Sequence, residues 1–400
     1  MTRRLPHSLS EVALRDIWKD SRDRSPTRAG APGIDRISAR DFGSELPANI
    51  RLTRRAIQSG NYQFRRLRVA PIPKASGGER IIAIPTVQDR LVQRALLRHL
   101  EDDQRFRPTS SISYGFTKGR SLPDAQKRAL ELRRSLPWVV QSDIIKFFDQ
   151  IRRGQLKERI RRAIRSKTIA ELIERAIDCE LDELDTKARS LAIEHDIRRG
   201  RGLRQGMPLS PMLSNFLLKD FDRALERAGL SAIRYADDIA IFCADALSCH
   251  HALGIVRRNL TELRLDIPEL RDDSKTKIVR PTETLEFLGA DIKWSADGYE
   301  LSAPFRRLGR VETNLKTICS VEYCQANKVT LPEVLRTIEA SVIGHQRSVS
   351  GLIGAAEFIS RLSALRTKYS RELLISIIGK NAVKSMSPQR LAVLGLQAFP

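Results

Sequence analysis

Tyr235-Ala236-Asp237-Asp238 sets two adjacent carboxylates between apolar residues that alternate as in β-strands, Ile233 and Tyr235 before the pair and Ile239 and Ile241 after it. That pattern predicts a hairpin with the Asp residues at its tip. Two anions at one tip repel each other and a divalent cation relieves the repulsion, so metal-assisted phosphoryl chemistry is the first expectation. Asp also serves hairpin turns through bonds to the backbone, and the pair alone does not separate the two uses. The stretch from Ser142 through Asp143, Ile144, Ile145, Lys146, Phe147 and Phe148 to Asp149 adds a third carboxylate, Asp143, at the end of an apolar strand opened by Val139 and Val140. A charge there is costly unless it is paired or metal-bound. If this strand lies beside the hairpin, Asp143 and Asp237 can hold two cations about 3.5–4 Å apart, the spacing used for in-line displacement at phosphorus.

Several elements must position these residues. The pattern predicts a helix from about Leu9 to Lys19, followed by a turn-rich stretch ending at Gly33. From Arg65 to Pro85 apolar and polar residues alternate around Ser76-Gly77-Gly78, which predicts two strands and a basic hairpin carrying Lys74 and Arg80. Leu91, Ala95, Leu96 and Leu100 recur at helical spacing and predict a helix over about 87–101. Residues 151–206 read as helical and charge-rich, and the excess of Arg at both ends favours phosphate contact over a merely solvated face. Beyond Pro304 three helical stretches are expected, at about 305–322, 331–346 and 351–378, forming a separate helical domain.

Composition narrows the partner. The 400 residues carry 70 Lys plus Arg against 48 Asp plus Glu, a formal charge of +22, which points to nucleic acid. No apolar run approaches the roughly 18 residues of a membrane span, and the start MTRRLPHSLSEV has no signal-peptide core, so a cytoplasmic protein without membrane contact is expected. Cys179, Cys243, Cys249, Cys319 and Cys324 form no C-x-x-C pair and are expected as reduced thiols; Cys249-His250-His251 reads as a helix start rather than a metal cluster.

The strings SDIIKFFDQI, RQGMPLSPMLSN and RYADDIAIF resemble, in order and spacing, the motifs of palm-domain reverse transcriptases, and the chain is most similar to their bacterial group II intron-like branch. Upstream the resemblance runs through GIDRISARDF, RVAPIPKASGGERIIAIPTVQDRLVQRAL and SYGFTKGRSLPDA, and downstream through SKTKIV and LEFLGADI, covering roughly residues 30 to 293. It implies an α+β right-hand polymerase, with fingers, a palm built on an antiparallel sheet, and an all-helical thumb. In these terms residues 1–29 are an N-terminal helical extension, 30–135 the fingers and start of the palm, 136–303 the palm with a helical basic insertion at about 151–206, and 304–400 the thumb-like domain.

The resemblance also implies roles. Asp143, Asp237, Asp238 and the backbone carbonyl of Ile144 would hold two Mg²⁺ ions, with Mn²⁺ as a substitute. Lys74 and Arg80 would contact the incoming triphosphate, and Gln205 and Gly206 would line the nucleotide pocket, the Gly letting backbone approach a ligand. Lys275 matches a candidate proton donor to pyrophosphate, and Leu288-Gly289 matches the primer grip. Phe148 falls where a bulky ring excludes a 2'-hydroxyl and so favours DNA as product, while Phe147, its neighbour on a strand, would face the core. Lys118 and Arg120 are open to phosphate contact or to a solvated turn. Arg306, Arg307, Arg310 and Lys316 make the first thumb helix basic enough for a template-primer duplex.

The expected partners are an RNA template or non-coding RNA, a DNA or RNA primer, and dNTPs; nothing in the sequence specifies an oligomeric state. The helical tail lacks the Val-Thr-Gly of retron enzymes, Pro211 stands where diversity-generating enzymes place Gln, and no Cys/His-rich nuclease module follows. These departures leave a stand-alone polymerase or an endonuclease-lacking intron protein, and phage defence with a non-coding RNA is the role expected. Group II intron splicing or mobility as a maturase, RNA synthesis, and untemplated or protein-primed DNA synthesis stay open as alternatives.

Overall fold

The basic hairpin expected near the N-terminus is β1 (Arg68–Pro73) paired antiparallel with β2 (Glu79–Ile84), in the register Arg68 to Ile84 and Pro73 to Glu79. The computed structural model describes residues 5–21, 23, 30–73, 79–106, 110–387 and 389–390, so the turn at 74–78, and with it Lys74, lies outside the described residues. The described chain divides into two compact units. One comprises the residues up to Pro73 with Glu79–Ala125 and Ser135–Ile278; the other comprises Gln126–Arg134 and the chain from Val279 on.

The first unit is built on a four-stranded sheet. Its strands are β3 (Trp138–Asp143), β4 (Ser231–Tyr235), β5 (Asp238–Cys243) and β6 (Lys277–Val279), in the order β4-β5-β3-β6, with β5 antiparallel to both β4 and β3. Every residue of β5 after Asp238 is buried, as befits a strand paired on both edges. Before the sheet come α1 (Glu11–Asp20), α2 (Ala39–Ser44), α3 (Leu46–Ser59), α4 (Val87–Asp102) and α5 (Leu122–Ser135), of which Gln126–Arg134 belongs to the second unit. Then follow α6 (Phe147–Gln150), α7 (Arg153–Ala163), α8 (Lys167–Ile177), α9 (Thr186–Glu194), α10 (Ser210–Arg227) and α11 (Ala246–Glu262). The apolar stripes of α4, α8 and α10, among them Leu91, Leu96, Ile169, Ile173, Leu217 and Phe221, join Val140, Ile239 and Ile241 of the sheet in one core.

Several expectations change here. Phe147 and Phe148 are not strand neighbours: β3 ends at Asp143, Lys146 adopts a left-handed conformation at φ 42°, and both rings sit on the single turn α6. Phe147 is still buried and Phe148 half-buried, because successive helical residues also point apart. The helical segment after Ile151 stops at Glu194, and 195–206 runs as loop. Arg153 and Arg204 at its two ends are buried, not presented to phosphate. Glu180 accepts from Arg153 Nη1 at 2.6 Å and from Arg204 Nη2 at 2.5 Å, pinning the loop to α7.

The second unit contains a three-stranded antiparallel sheet, β7 (Leu285–Phe287), β8 (Ala290–Ser295) and β9 (Gly298–Ser302). Among the described residues five helices follow: α12 (Arg307–Ile318), α13 (Val321–Asn327), α14 (Leu331–Val349), α15 (Ala355–Ile378) and α16 (Lys380–Lys384). Ala290 of the sheet and Ala303 just beyond it share a core with Val311, Leu315, Ile338 and Phe358. The helix expected over 305–322 is two, since the Ser320 hydroxyl accepts from Tyr323 N at 3.1 Å and starts α13 afresh. All five cysteines are free thiols, and Asp245 caps the helix that contains Cys249, His250 and His251.

Candidate active site

The antiparallel register of β3 and β5 sets Asp143 directly opposite Asp238, and Ile144 N donates to Asp237 O at 3.1 Å. That bond makes 144 and 237 a hydrogen-bonded pair. By the alternation of an antiparallel ladder, 143 and 238 are then the narrow pair, with Cα atoms about 4.5 Å apart. The β4-β5 hairpin closes through Ala236 and Asp237, so the tip holds one Asp, and Asp238 is already the first residue of β5. Three carboxylates from two distant stretches of the chain thus share one end of the sheet.

Their electrostatics follow from that crowding. Burial, and then the charge of Asp143, push the Asp237 carboxyl above the ordinary carboxylate range, while its own backbone N–H, Lys275 and Arg80 oppose the rise. Lys275 Nζ bonds Asp143 Oδ2, and this bond, with the charges of Asp143, Asp237 and Asp238, holds the ammonium above its usual range. The other oxygen of Asp143, Oδ1, is buried with no hydrogen-bond partner. Ser142 and Thr276, next to Asp143 and Lys275, join their hydroxyls at 2.7 Å and tie the Lys275 segment to β3.

This donor set fits Mg²⁺. It is all oxygen and it contains a buried carboxylate oxygen lacking a partner. Among the described residues no three His, Cys, Asp or Glu side chains converge into a ready-made cage.

The remaining candidates distribute as follows. Arg80 is exposed on β2, with its charge felt at Asp237. Gln205 O accepts from Ala83 N at 2.7 Å, so the Gln205-Gly206 loop lies along β2. A Cβ on Gly206 would stand 2.4 Å from Ala83 O, so the strand beside it already requires a glycine here. Phe148 packs partly against the core, and its carbonyl accepts from Leu203 N at 2.7 Å. Arg120 is structural: its Nη1 donates to Ser110 O at 2.8 Å and Ser113 O at 2.5 Å, and it lies over the Tyr114 ring. Lys118 is exposed. Leu288 and Gly289 belong to the second unit, where both take positive φ at the β7-β8 turn and Gln126 Nε2 donates to Leu288 O at 2.9 Å.

The sequence reading missed the underside of the hairpin. Arg234 and Asp222 are both buried and form a bidentate pair with two 2.6 Å bonds. Asn215, Ser113 and Gly115 complete the group, with Asn215 Nδ2 donating to Gly115 O at 2.7 Å. The available signal was a charge inside each of two apolar patterns, Arg234 after Ile233 on β4 and Asp222 after Phe221 on α10.

An antiparallel sheet with carboxylates on its paired strand ends, covered by helices and accompanied by a basic hairpin, is the α+β palm of a right-hand polymerase. Residues 72–292 match the reverse transcriptase (RNA-dependent DNA polymerase) family, and the chain belongs to that family. Protein YkfC of Escherichia coli K12 is 30% identical over 211 residues, 51% of this chain and 52% of that protein. The retron Mx162 reverse transcriptase of Myxococcus xanthus is 28% identical over 173 residues, 42% of this chain and 34% of the relative. The chain therefore spans about half the length of the first relative and a third of the second. A telomerase structure from Candida albicans aligns with TM-score 0.41 and 12% identity, over 88% of this chain and 69% of the telomerase. No helix among the described residues is long and apolar enough to cross a membrane.

Proposed function

We propose that the chain is an RNA-directed DNA polymerase that joins dNTPs to a 3'-hydroxyl. The observation that carries this reading is that Asp143, Asp237, Asp238 and Lys275 stand at one end of the β4-β5-β3-β6 sheet, with Lys275 bonded to Asp143. Asp143, Asp237, Asp238 and the Ile144 carbonyl would hold two Mg²⁺ ions. When bound, such ions lower the pKa of an attacking hydroxyl and neutralise charge on the transferring and leaving phosphates.

The chain's own residues supply the rest. The Arg80 guanidinium, with Lys74 beyond the described residues, binds the triphosphate in bidentate fashion. Lys275 keeps its proton at neutral pH and is placed to give it from Nζ to the departing pyrophosphate. Phe148 fills the space a 2'-hydroxyl would need, while Gln205 borders the nucleotide. In this reading residues 30–135 act as fingers, 136–303 as palm and 304–400 as thumb, Leu288-Gly289 grips the primer, and the basic start of α12 holds duplex phosphates. The template is RNA, and phage defence with a dedicated non-coding RNA is the proposed role; sequencing the nucleic acid that copurifies separates this from intron mobility.

The test is Asp237→Asn. We expect loss of dNTP incorporation on a primed RNA template while RNA affinity stays near that of the native protein. Retained synthesis would refute the metal assignment, and full biological activity without synthesis would favour an RNA-binding role.

A further inference from the structure

We infer that Arg234 is the positioning residue of the carboxylate hairpin: through Ala236 it fixes the peptide from which Asp237 projects. Arg234 is wholly buried on β4, and each of its five N–H donors is used. Nε and one Nη2 proton bind the two oxygens of Asp222, both at 2.6 Å. The other Nη2 proton goes to Ser113 Oγ at 2.8 Å. Nη1 divides between Asn215 Oδ1 at 3.0 Å and Ala236 O at 2.9 Å.

The last bond carries the inference. The Ala236 carbonyl, the Asp237 N–H and the Asp237 Cα lie in one rigid plane, so a donor that fixes the carbonyl fixes the orientation of the next residue. Ala236 needs such a hold, because it is an L-residue at φ 59°, a region that favours glycine. Backbone bonds brace the same corner: Arg234 N donates to Ile112 O at 2.7 Å and Tyr114 N to Arg234 O at 2.8 Å. Asn215 closes the ring by donating from Nδ2 to Gly115 O at 2.7 Å, and a Cβ on Gly115 would stand 2.5 Å from Ala236 N. Asp222 and Asn215 of α10, Ser113 and Gly115 of the preceding loop, and the hairpin itself therefore meet on one guanidinium. Lys offers the charge but neither the planar fork nor five donors, so the site discriminates between the two.

This inference rests on the polymerase reading only in assigning Asp237 to metal binding, and its test separates the two. Arg234→Lys keeps a cation beside Asp222. The double variant Arg234→Met with Asp222→Leu replaces the buried pair by apolar groups, a change folds often tolerate, and lacks the donor to Ala236. Each is compared with the native protein and with Asp237→Asn in four measurements: urea denaturation, RNA–DNA duplex binding, kcat and KM for dNTP incorporation, and Mn²⁺ binding by electron paramagnetic resonance without substrate. We expect the Arg234 variants to fold, to bind duplex and dNTP within a few-fold of native, to lose about 100-fold in kcat, as roughly 1 Å of misplacement does, and to bind Mn²⁺ at least about tenfold more weakly. Variants that fold and keep native kcat and Mn²⁺ affinity overturn the inference, and so does unfolding of both, which would reduce Arg234 to a support of the fold. If Asp237→Asn itself leaves Mn²⁺ binding and synthesis unchanged, the polymerase reading fails instead.

Discussion

Gly115→Ala tests how tightly the carboxylate hairpin is held. Gly115 has no positive φ, so Ala suits its backbone, and any effect must come from the added methyl group. That Cβ would stand 2.5 Å from Ala236 N, 3.0 Å from Tyr235 C and 3.1 Å from Tyr235 Cδ1. The ring edge can turn aside, but the backbone atoms cannot. Reaching an ordinary contact of 3.4 Å requires about 0.9 Å of movement, and the loop carrying Gly115 is restrained by Asn215 on its carbonyl and by the Tyr114 bond to Arg234. If the two backbones share the movement equally, Asp237 shifts by about half an ångström, the tolerance within which catalytic groups must be held. We expect kcat for single-nucleotide incorporation to fall by about 10- to 100-fold, since a full ångström costs about 100-fold. Overpacking of this kind costs about 1–3 kcal/mol, so the variant stays folded in urea titrations. Single-turnover incorporation on a primed RNA template is the assay. Incorporation within twofold of native by a folded Gly115→Ala protein would show that the turn yields without consequence and would refute the reasoning.

Two further outcomes follow from side chains elsewhere. Phe148→Ala should raise ribonucleotide use relative to deoxynucleotide use by at least about tenfold, equivalent to about 1.4 kcal/mol in the transition state, and equal use of both sugars by the native protein would remove the gate argument. Asp291 is 8% exposed on β8 opposite Glu286, and burial, then the Glu286 charge, lift its carboxyl to about 6 against Arg306, Arg307 and Lys293. The folded chain then keeps a proton that the unfolded chain releases near pH 4, so this stability is complete below about pH 4 and is lost as pH rises through 6. Asp291→Asn should therefore raise the unfolding free energy by about 2–3 kcal/mol at pH 7.5 and leave it unchanged at pH 4, and equal urea midpoints at pH 7.5 would contradict this.

What could be read from the sequence was whatever local period determines. Alternation around Val139 and Ile239 located β3 and β5, and the spacing of Leu91, Leu96 and Leu100 located α4. The hairpin tip was visible because Asp is both a turn former and an anion. Contacts between distant residues were not visible. Nothing near Arg153 or Arg204 announces Glu180, so both looked like surface cations, and the same blindness hid Asp222 from Arg234. Local rules also misplaced short elements: α6 is one turn long, too short to show a period, and Ser320 restarts a helix with a single capping bond.

The missed residues explain a feature of the motifs that chemistry alone does not. The strings SYGFTKGR and RQGMPLSPMLSN each contain one residue, Gly115 and Asn215, with no group suited to phosphoryl transfer, yet both close on the tip that carries Asp237. The reason is electrostatic. Three carboxylates gathered at one strand end repel one another, and Ala236 adds a left-handed turn that costs an L-residue roughly 1–2 kcal/mol. Lys275 and Arg80 offset part of the repulsion from above. Left to itself, a two-residue turn under that load would relax by moving the anions apart, and the site would lose the spacing its chemistry needs. A buried guanidinium with every donor engaged cannot follow such a movement without breaking several bonds at once. The acidic tip and its underside are therefore one device, and a sequence that kept the aspartates while losing Arg234, Asn215 or Gly115 would retain the carboxylates but not their geometry.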